Sequence, residues 1–223
     1  PELAPPVVVD EPAIRHPVEV PPAEALAEPL PALDDSTRVA SEEAVALVGA
    51  PAFGELFLAQ GILRNFVATV DNLPRRTLPV AQRPLRGATG LFLAAGTEDA
   101  PVIDEANFVR YGPYVRMTAL LDARAAVAAY QRLYPLLQQA YEELGYPGRY
   151  FNDRLVEAID DLLAAPEPEG PVALKRPNVL YEFADPSLEA RSAGQKILIR
   201  MGPANARQVK AKLAEIRALL VRP

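Results

Sequence analysis

The chain has 223 residues, half of them apolar and 23% charged, with a net charge of −6. Cysteine and tryptophan are absent, and histidine occurs once, at His16. That excludes disulfides, thiolate nucleophiles and cysteine-held metals, and one imidazole cannot build a Ser-His-Asp triad or a His-based zinc site. No cofactor is expected, and any catalysis would fall to carboxylates, Tyr, Ser, Lys or Arg.

The charge is unevenly placed. Residues 1–35 carry −7, residues 36–185 carry −5 and residues 186–223 carry +6. The overall acidity disfavours nucleic acid, because phosphate neutralisation dominates that binding. No run of apolar residues is long enough to cross a membrane. The chain begins at Pro1 rather than Met, which suggests a piece of a longer protein whose anchor or signal lies upstream.

Residues 1–33 hold nine of the 24 prolines. This composition buries too little surface to offset ordering entropy, so the segment reads as a disordered or polyproline II linker. Fully extended, it would reach roughly 100 Å. Residues 34–223 read as one globular domain. Its first helix starts at Ser36 or Ser41 and is stopped by Gly49 and Pro51. A second helical pattern runs from Phe53 through Val70 and is closed by Pro74. Residues 74–90 are an irregular loop with Arg75, Arg76, Arg83 and Arg86. Leu91–Leu93 and Pro101–Ile103, flanking Gly96–Asp99, predict a short hairpin. Asp104–Leu120 is helical. Asp122 then caps the longest helix, with Val127, Tyr130, Tyr134, Leu137, Tyr141 and Leu144 on one face and a kink at Pro135. The next helix spans about Asn152–Ala165. Short strands follow near Val172–Leu174 and Val179–Phe183. Asp185-Pro186 starts a helix reaching Met201, and Gly202-Pro203 starts the last one. The expected fold is mainly α: a compact helical domain with a minor antiparallel β element.

Four stretches carry a resemblance: Val67-Ala-Thr-Val-Asp-Asn-Leu-Pro-Arg75, Tyr130-Gln-Arg-Leu-Tyr-Pro-Leu-Leu137, Gly145-Tyr-Pro-Gly-Arg-Tyr-Phe-Asn-Asp-Arg-Leu155, and Ser192-Ala-Gly-Gln-Lys196 running into Met201-Gly-Pro203. Together they resemble the uncharacterised bacterial family called domain of unknown function 3014, over about residues 33–220. The resemblance implies a single-pass envelope protein. In that arrangement a membrane helix precedes the Pro-rich linker and the domain faces the periplasm from the inner membrane. It implies no catalytic or binding residue.

Four constellations could carry chemistry. Arg75, Arg76, Arg83 and Arg86 could grip a carboxylate or phosphate through their planar forks, or simply pair with Asp71. Asp153, Glu157, Asp160 and Asp161 form an acidic helix face, which is usually a solvated face. Tyr130, Tyr134 and Tyr141 share a core stripe, whereas Tyr146 and Tyr150 flank an interhelical loop that includes Arg149 and could meet a partner. Ser192 and Lys196 lack the spacing and oxyanion site of an acyl-transfer pair.

The reading that follows is a non-enzymatic, periplasm-facing interaction domain on a membrane-tethered linker. Its partner would be an envelope protein or wall polymer. The candidate contact group is Arg75, Arg76, Arg83 and Arg86, with Tyr146 and Arg149 second. One alternative is a carboxylate-dependent wall hydrolase using Asp153 or Glu157. Another is a spacer or oligomerisation module, which an exposed apolar face of Val209, Leu213, Ile216 and Leu220 would support.

Overall fold

The computed structural model describes residues 13–22 and 28–221 and contains ten α-helices and two small antiparallel sheets. After a 3-10 turn at Leu33–Asp35 come α1 (Thr37–Val48), α2 (Ala50–Leu56) and α3 (Ile62–Asn72). The hairpin β1 (Ala94–Thr97) and β2 (Ala100–Ile103) follows, then α4 (Ala106–Arg110), α5 (Gly112–Leu120), α6 (Ala123–Glu143) and α7 (Phe151–Leu163). The pair β3 (Leu174–Lys175) and β4 (Glu182–Phe183) precedes α8 (Pro186–Glu189), α9 (Ala193–Arg200) and α10 (Pro203–Leu220).

The expected helices are present, but three of them are broken. The Phe53–Val70 pattern divides at Gly61, which takes a left-handed φ of 62°. The Asp104–Leu120 pattern divides at Tyr111, where Pro113 opens α5. The Asp185–Met201 pattern divides before Ser192, whose hydroxyl caps α9 by accepting from Gln195 N–H at 3.1 Å. Proline begins helices here more often than it ends them: Pro51, like Pro113, occupies a first-turn position whose N–H would have no partner. The first strand of the hairpin begins three residues later than the pattern suggests and the second lies where expected, with Ala94 facing Ile103.

The helix α6 runs on through Pro135, which is exposed. Asp122 caps it by accepting from Ala125 N–H at 2.7 Å. Its neighbours α3, α7 and α10 cover it from several sides, so Leu133, Leu136 and Ala140 are buried along with Val127, Tyr134, Leu137 and Tyr141. Leu144, expected on that face, is instead 38% exposed because the helix ends there. Tyr134 and Tyr141 are core as expected, and Tyr130 packs edge-on against Tyr134. On α10, Leu220 is buried, while Leu213 and Ile216 pack against Val127, Val156 and Ile159. The fold itself therefore covers most of the face that an oligomerisation module would have left free.

Residues 13–22 contain no helix or strand, but they do not stand away from the domain. Val18 packs on the core, and the backbone of Arg15, His16 and Val18 is hydrogen-bonded to α7 and the residue before it. Side chains of the domain take up the segment's N–H groups, contacts that composition alone does not reveal. Residues 1–12 and 23–27 lie outside the described residues.

Two predictions follow from the packing. A Cβ on Gly194 would sit 2.6 Å from Leu162 Cδ2 and 3.2 Å from the Leu73 carbonyl, whereas Gly54 has open space. Gly194→Ala should cost about 1–3 kcal/mol in urea unfolding through overpacking, and Gly54→Ala should gain roughly 0.5–1 kcal/mol from helix propensity. The second concerns alkaline pH. Burial, and then Tyr150 nearby, pushes the Tyr134 phenol far above its ordinary value, and burial does the same to Tyr130. Raised phenols contribute stability that is intact below about pH 10, where the unfolded side chain begins to titrate, and lost above it. The urea midpoint should fall from pH 9.5 to 11.5, with a slope that steepens as the unfolded chain's phenols ionise while the buried ones stay protonated, and fall less steeply in Tyr134→Phe.

Candidate functional site

Asp71 lies near the end of α3 on the stripe formed by Leu63, Val67 and Val70, and it is 4% exposed. A buried carboxylate must be paired. Arg154 of α7 donates from Nε to Asp71 Oδ1 at 3.1 Å and from Nη2 to the Asp71 carbonyl. Arg75, one turn on, donates from Nη2 to Oδ2 at 2.8 Å. The Tyr146 hydroxyl donates to the same oxygen at 3.2 Å, and its ring stacks on Tyr141 at 4.7 Å. One carboxylate thus joins α3, α7 and the loop between α6 and α7.

The same end of α3 meets α9 head-on. Ala193 N–H donates to the Arg75 carbonyl at 2.6 Å and Gly194 N–H to the Leu73 carbonyl at 2.9 Å. The free N–H groups of one helix start satisfy carbonyls just beyond another helix's end, and the lack of a Cβ at Gly194 permits the approach. Asp161 of α7 completes the joint, accepting from Ser192 Oγ at 2.6 Å and from Gln195 Nε2 at 3.0 Å. Three of the four stretches that carry the family resemblance meet here.

Above this knot opens a cleft of about 500 Å³, lined by Asp71, Arg75, Tyr141, Tyr146, Arg149, Tyr150, Asp153, Arg154 and Glu157, with Ala13 and Arg15 at its edge. Among the six candidate residues, Arg75, Tyr146 and Arg149 share it. Arg76, Arg83 and Arg86 do not line it. Their loop is pinned along α2 and α3: Leu58 N–H to the Pro84 carbonyl, Arg86 N–H to the Leu56 carbonyl, and Thr69 Oγ1 to the Gln82 carbonyl. Pinning spreads the arginines out. Arg83 Nη2 is turned to the Leu78 carbonyl at 3.0 Å, while Arg76 and Arg86 are exposed. Arg75 is committed to Asp71 yet remains 48% exposed. Arg149 is exposed, with no ion-pair partner among the described residues.

The acidic face of α7 is not a plain solvated face. Asp153 accepts main-chain N–H groups from Arg15 and His16, Glu157 pairs with Arg154 at 2.8 Å, Asp160 pairs with Arg217, and Asp161 holds α9. A glycosidase needs one carboxyl free to protonate the leaving oxygen. In this cleft all three carboxylates already accept from guanidinium, phenol or main-chain donors. Ser192 and Lys196 are also diverted apart: Ser192 goes to Asp161, and Lys196 Nζ goes to Glu189 at 2.9 Å. Burial pushes the Glu189 carboxyl up, but the Lys196 and Phe183 hydrogen bonds outweigh it and hold the group below its ordinary value.

The pairing of Arg75 with Asp71, one of the two readings of the loop arginines, is what forms, whereas the roles of Tyr146 and Arg154 at Asp71 have no signal in the sequence analysis. Removing one member of a buried, hydrogen-bonded charge pair costs about 3–5 kcal/mol. Arg154→Met should therefore lower stability by about that amount in urea unfolding. Arg38→Ala, at an exposed pair with Glu42, should leave the urea midpoint nearly unchanged.

No curated protein and no solved structure matches the chain. Residues 62–217 match the family described as protein of unknown function (DUF3014). That span begins with α3 and takes in the knot, the cleft and nearly all of α10, and the chain belongs to this family.

Proposed function

We propose that this protein is a non-enzymatic interaction domain, carried at the periplasmic face of the inner membrane on its Pro-rich N-terminal segment. It captures an envelope protein through an acidic group of that partner. One observation carries the reading: exposed Arg149, half-exposed Arg75 and the stacked Tyr146 edge line one cleft. Two guanidinium groups beside an aromatic rim suit a carboxylate on a protein surface, where Arg and Tyr are the usual contributors of binding energy. The Pro-rich segment sets reach and effective concentration. The envelope placement in this reading is supported by the family resemblance. Among the described residues, no helix is long and apolar enough to cross a membrane.

A second reading, a wall hydrolase, draws on Asp153 and Glu157 lining the same cleft. Glu157→Gln separates the two, being silent for capture and abolishing any wall-degrading activity.

The test is in-cell crosslinking and pull-down of the membrane-anchored full-length protein, with sacculus sedimentation in parallel. Arg149→Glu should reduce recovery of a specific protein by about tenfold or more, the scale of losing one charge-assisted hydrogen bond. Joint Arg76, Arg83 and Arg86→Ala should matter much less. Undiminished capture by Arg149→Glu would reject the cleft as the contact surface. Sedimentation with sacculi and no protein partner would transfer the reading to wall polymer.

A further inference from the structure

The segment from Ala13 to Pro22 is gripped in a particular way. A bend at Arg15-His16 aims two successive N–H groups at one carboxylate: Arg15 N–H reaches Asp153 Oδ2 at 3.1 Å and His16 N–H reaches Asp153 Oδ1 at 2.8 Å. Asn152, itself fully buried, donates from Nδ2 to the His16 carbonyl at 2.9 Å. Val18 N–H donates to the Tyr150 hydroxyl at 2.8 Å. Pro17 has no N–H. Every N–H that residues 15–18 possess is therefore taken by a side chain of Tyr150 or Asp153. Buried or half-buried main-chain groups need such partners. Here the partners come from three nearly consecutive residues of one helix start rather than from a sheet.

Asn152 in turn has no freedom to turn away. Its Oδ1 accepts from the Tyr130 hydroxyl at 3.0 Å, which leaves its amide aimed outward at the segment. Gln138 and Tyr134 of α6 take the first N–H groups of α7, so the helix start is set before the segment arrives. These hydrogen bonds read main chain; beside them, the exposed Arg15 guanidinium lies 3.9 Å from Asp153 Oδ2, a long, solvent-screened ion pair. The side-chain requirements are few: a bend before the proline, no N–H at the third position, and an apolar residue at the fourth, where Val18 packs on the core.

We infer that Tyr150, Asn152 and Asp153 form a peptide-binding site that grips a bent, proline-containing segment by its main chain. Residues 15–18 of this chain are its occupant. Its class of ligand is a peptide of the form x-x-Pro-apolar, here supplied by the same chain. The occupant fixes where the linker leaves the domain and draws Ala13 and Arg15 along the edge of the Arg75 and Arg149 cleft. The site stands whether or not the cleft captures a partner, because its readout needs none.

The experiment uses the full chain. Native-state hydrogen exchange should show the Arg15, His16 and Val18 amides protected, and trypsin should cut slowly at the Arg15–His16 bond. Asp153→Ala removes the acceptor at the domain's rim and should speed both by about tenfold or more. Val18→Pro removes a donor from the segment and leaves every group of the domain's own site in place, and it should loosen the segment in the same way, with the urea midpoint of each variant measured to show that the domain stays folded. A labelled peptide of residues 13–22 should then bind Val18→Pro more tightly than the wild-type chain, because the competing occupant is weakened. Exchange at these amides as fast as in urea, trypsin cleavage unchanged by Asp153→Ala, or equal peptide binding by both chains would each overturn the assignment.

Discussion

The carboxylate of Asp71 is the constraint on which the rest depends. It sits on the apolar stripe of α3, where an unpaired charge could not stay. Pairing it requires Arg154 to come in from α7, Arg75 to fold back along α3 and the loop after α6 to deliver Tyr146. These demands fix the angle at which α7 leaves the loop, and the cleft is the space left between the groups that answer them. Its guanidinium groups are therefore only partly free: Arg154 is consumed, Arg75 is shared, and Arg149 alone is uncommitted among the described residues.

The first turns of α7 divide their work by direction. Phe151 is wholly buried in the core, Arg154 reaches inward to Asp71, and Asp153 faces outward to the N-terminal segment. Two turns later Asp161 holds the start of α9, whose N–H groups serve the carbonyls beyond α3. The cleft, the segment and the α3–α9 joint thus share one helix, and a displacement of α7 would disturb all three. Structural and binding roles are not separable at Arg75, which makes Arg149 the cleaner probe of function.

Much of the fold was legible from periodicity. The α6 stripe, the caps at Asp122 and Asp185, and the Gly202-Pro203 break each have a local cause that the chain displays. Ser36 occupies the expected position but turns its hydroxyl to the Leu33 carbonyl instead of capping α1. The breaks near Gly61, Tyr111 and Ser192 were not legible, because an apolar pattern can continue in phase across a short interruption. At the site, a loop rich in arginine suggested a cluster, but tertiary hydrogen bonds spread Arg76, Arg83 and Arg86 away from the cleft. The signal for the knot was present: Asp71 follows Val67 by four and Val70 by one, an acid on an apolar stripe, which calls for a buried cation. The docking of residues 15–18 left no such trace, since it is main chain that is recognised and any bent Pro-containing sequence would look alike.

The account's central claim is that the Arg75–Tyr146–Arg149 cleft is the surface that meets a partner. Its most direct measurement is in-cell photocrosslinking of the membrane-anchored full-length protein. A photoreactive residue would replace Pro147, exposed between Tyr146 and Arg149, in one variant and Leu120, which is 85% exposed and outside the cleft, in another, so that Arg75, Tyr146 and Arg149 all stay in place. The expected result is a discrete protein adduct from position 147 and none from position 120. No adduct at 147, or the same adducts from both positions, would contradict the claim.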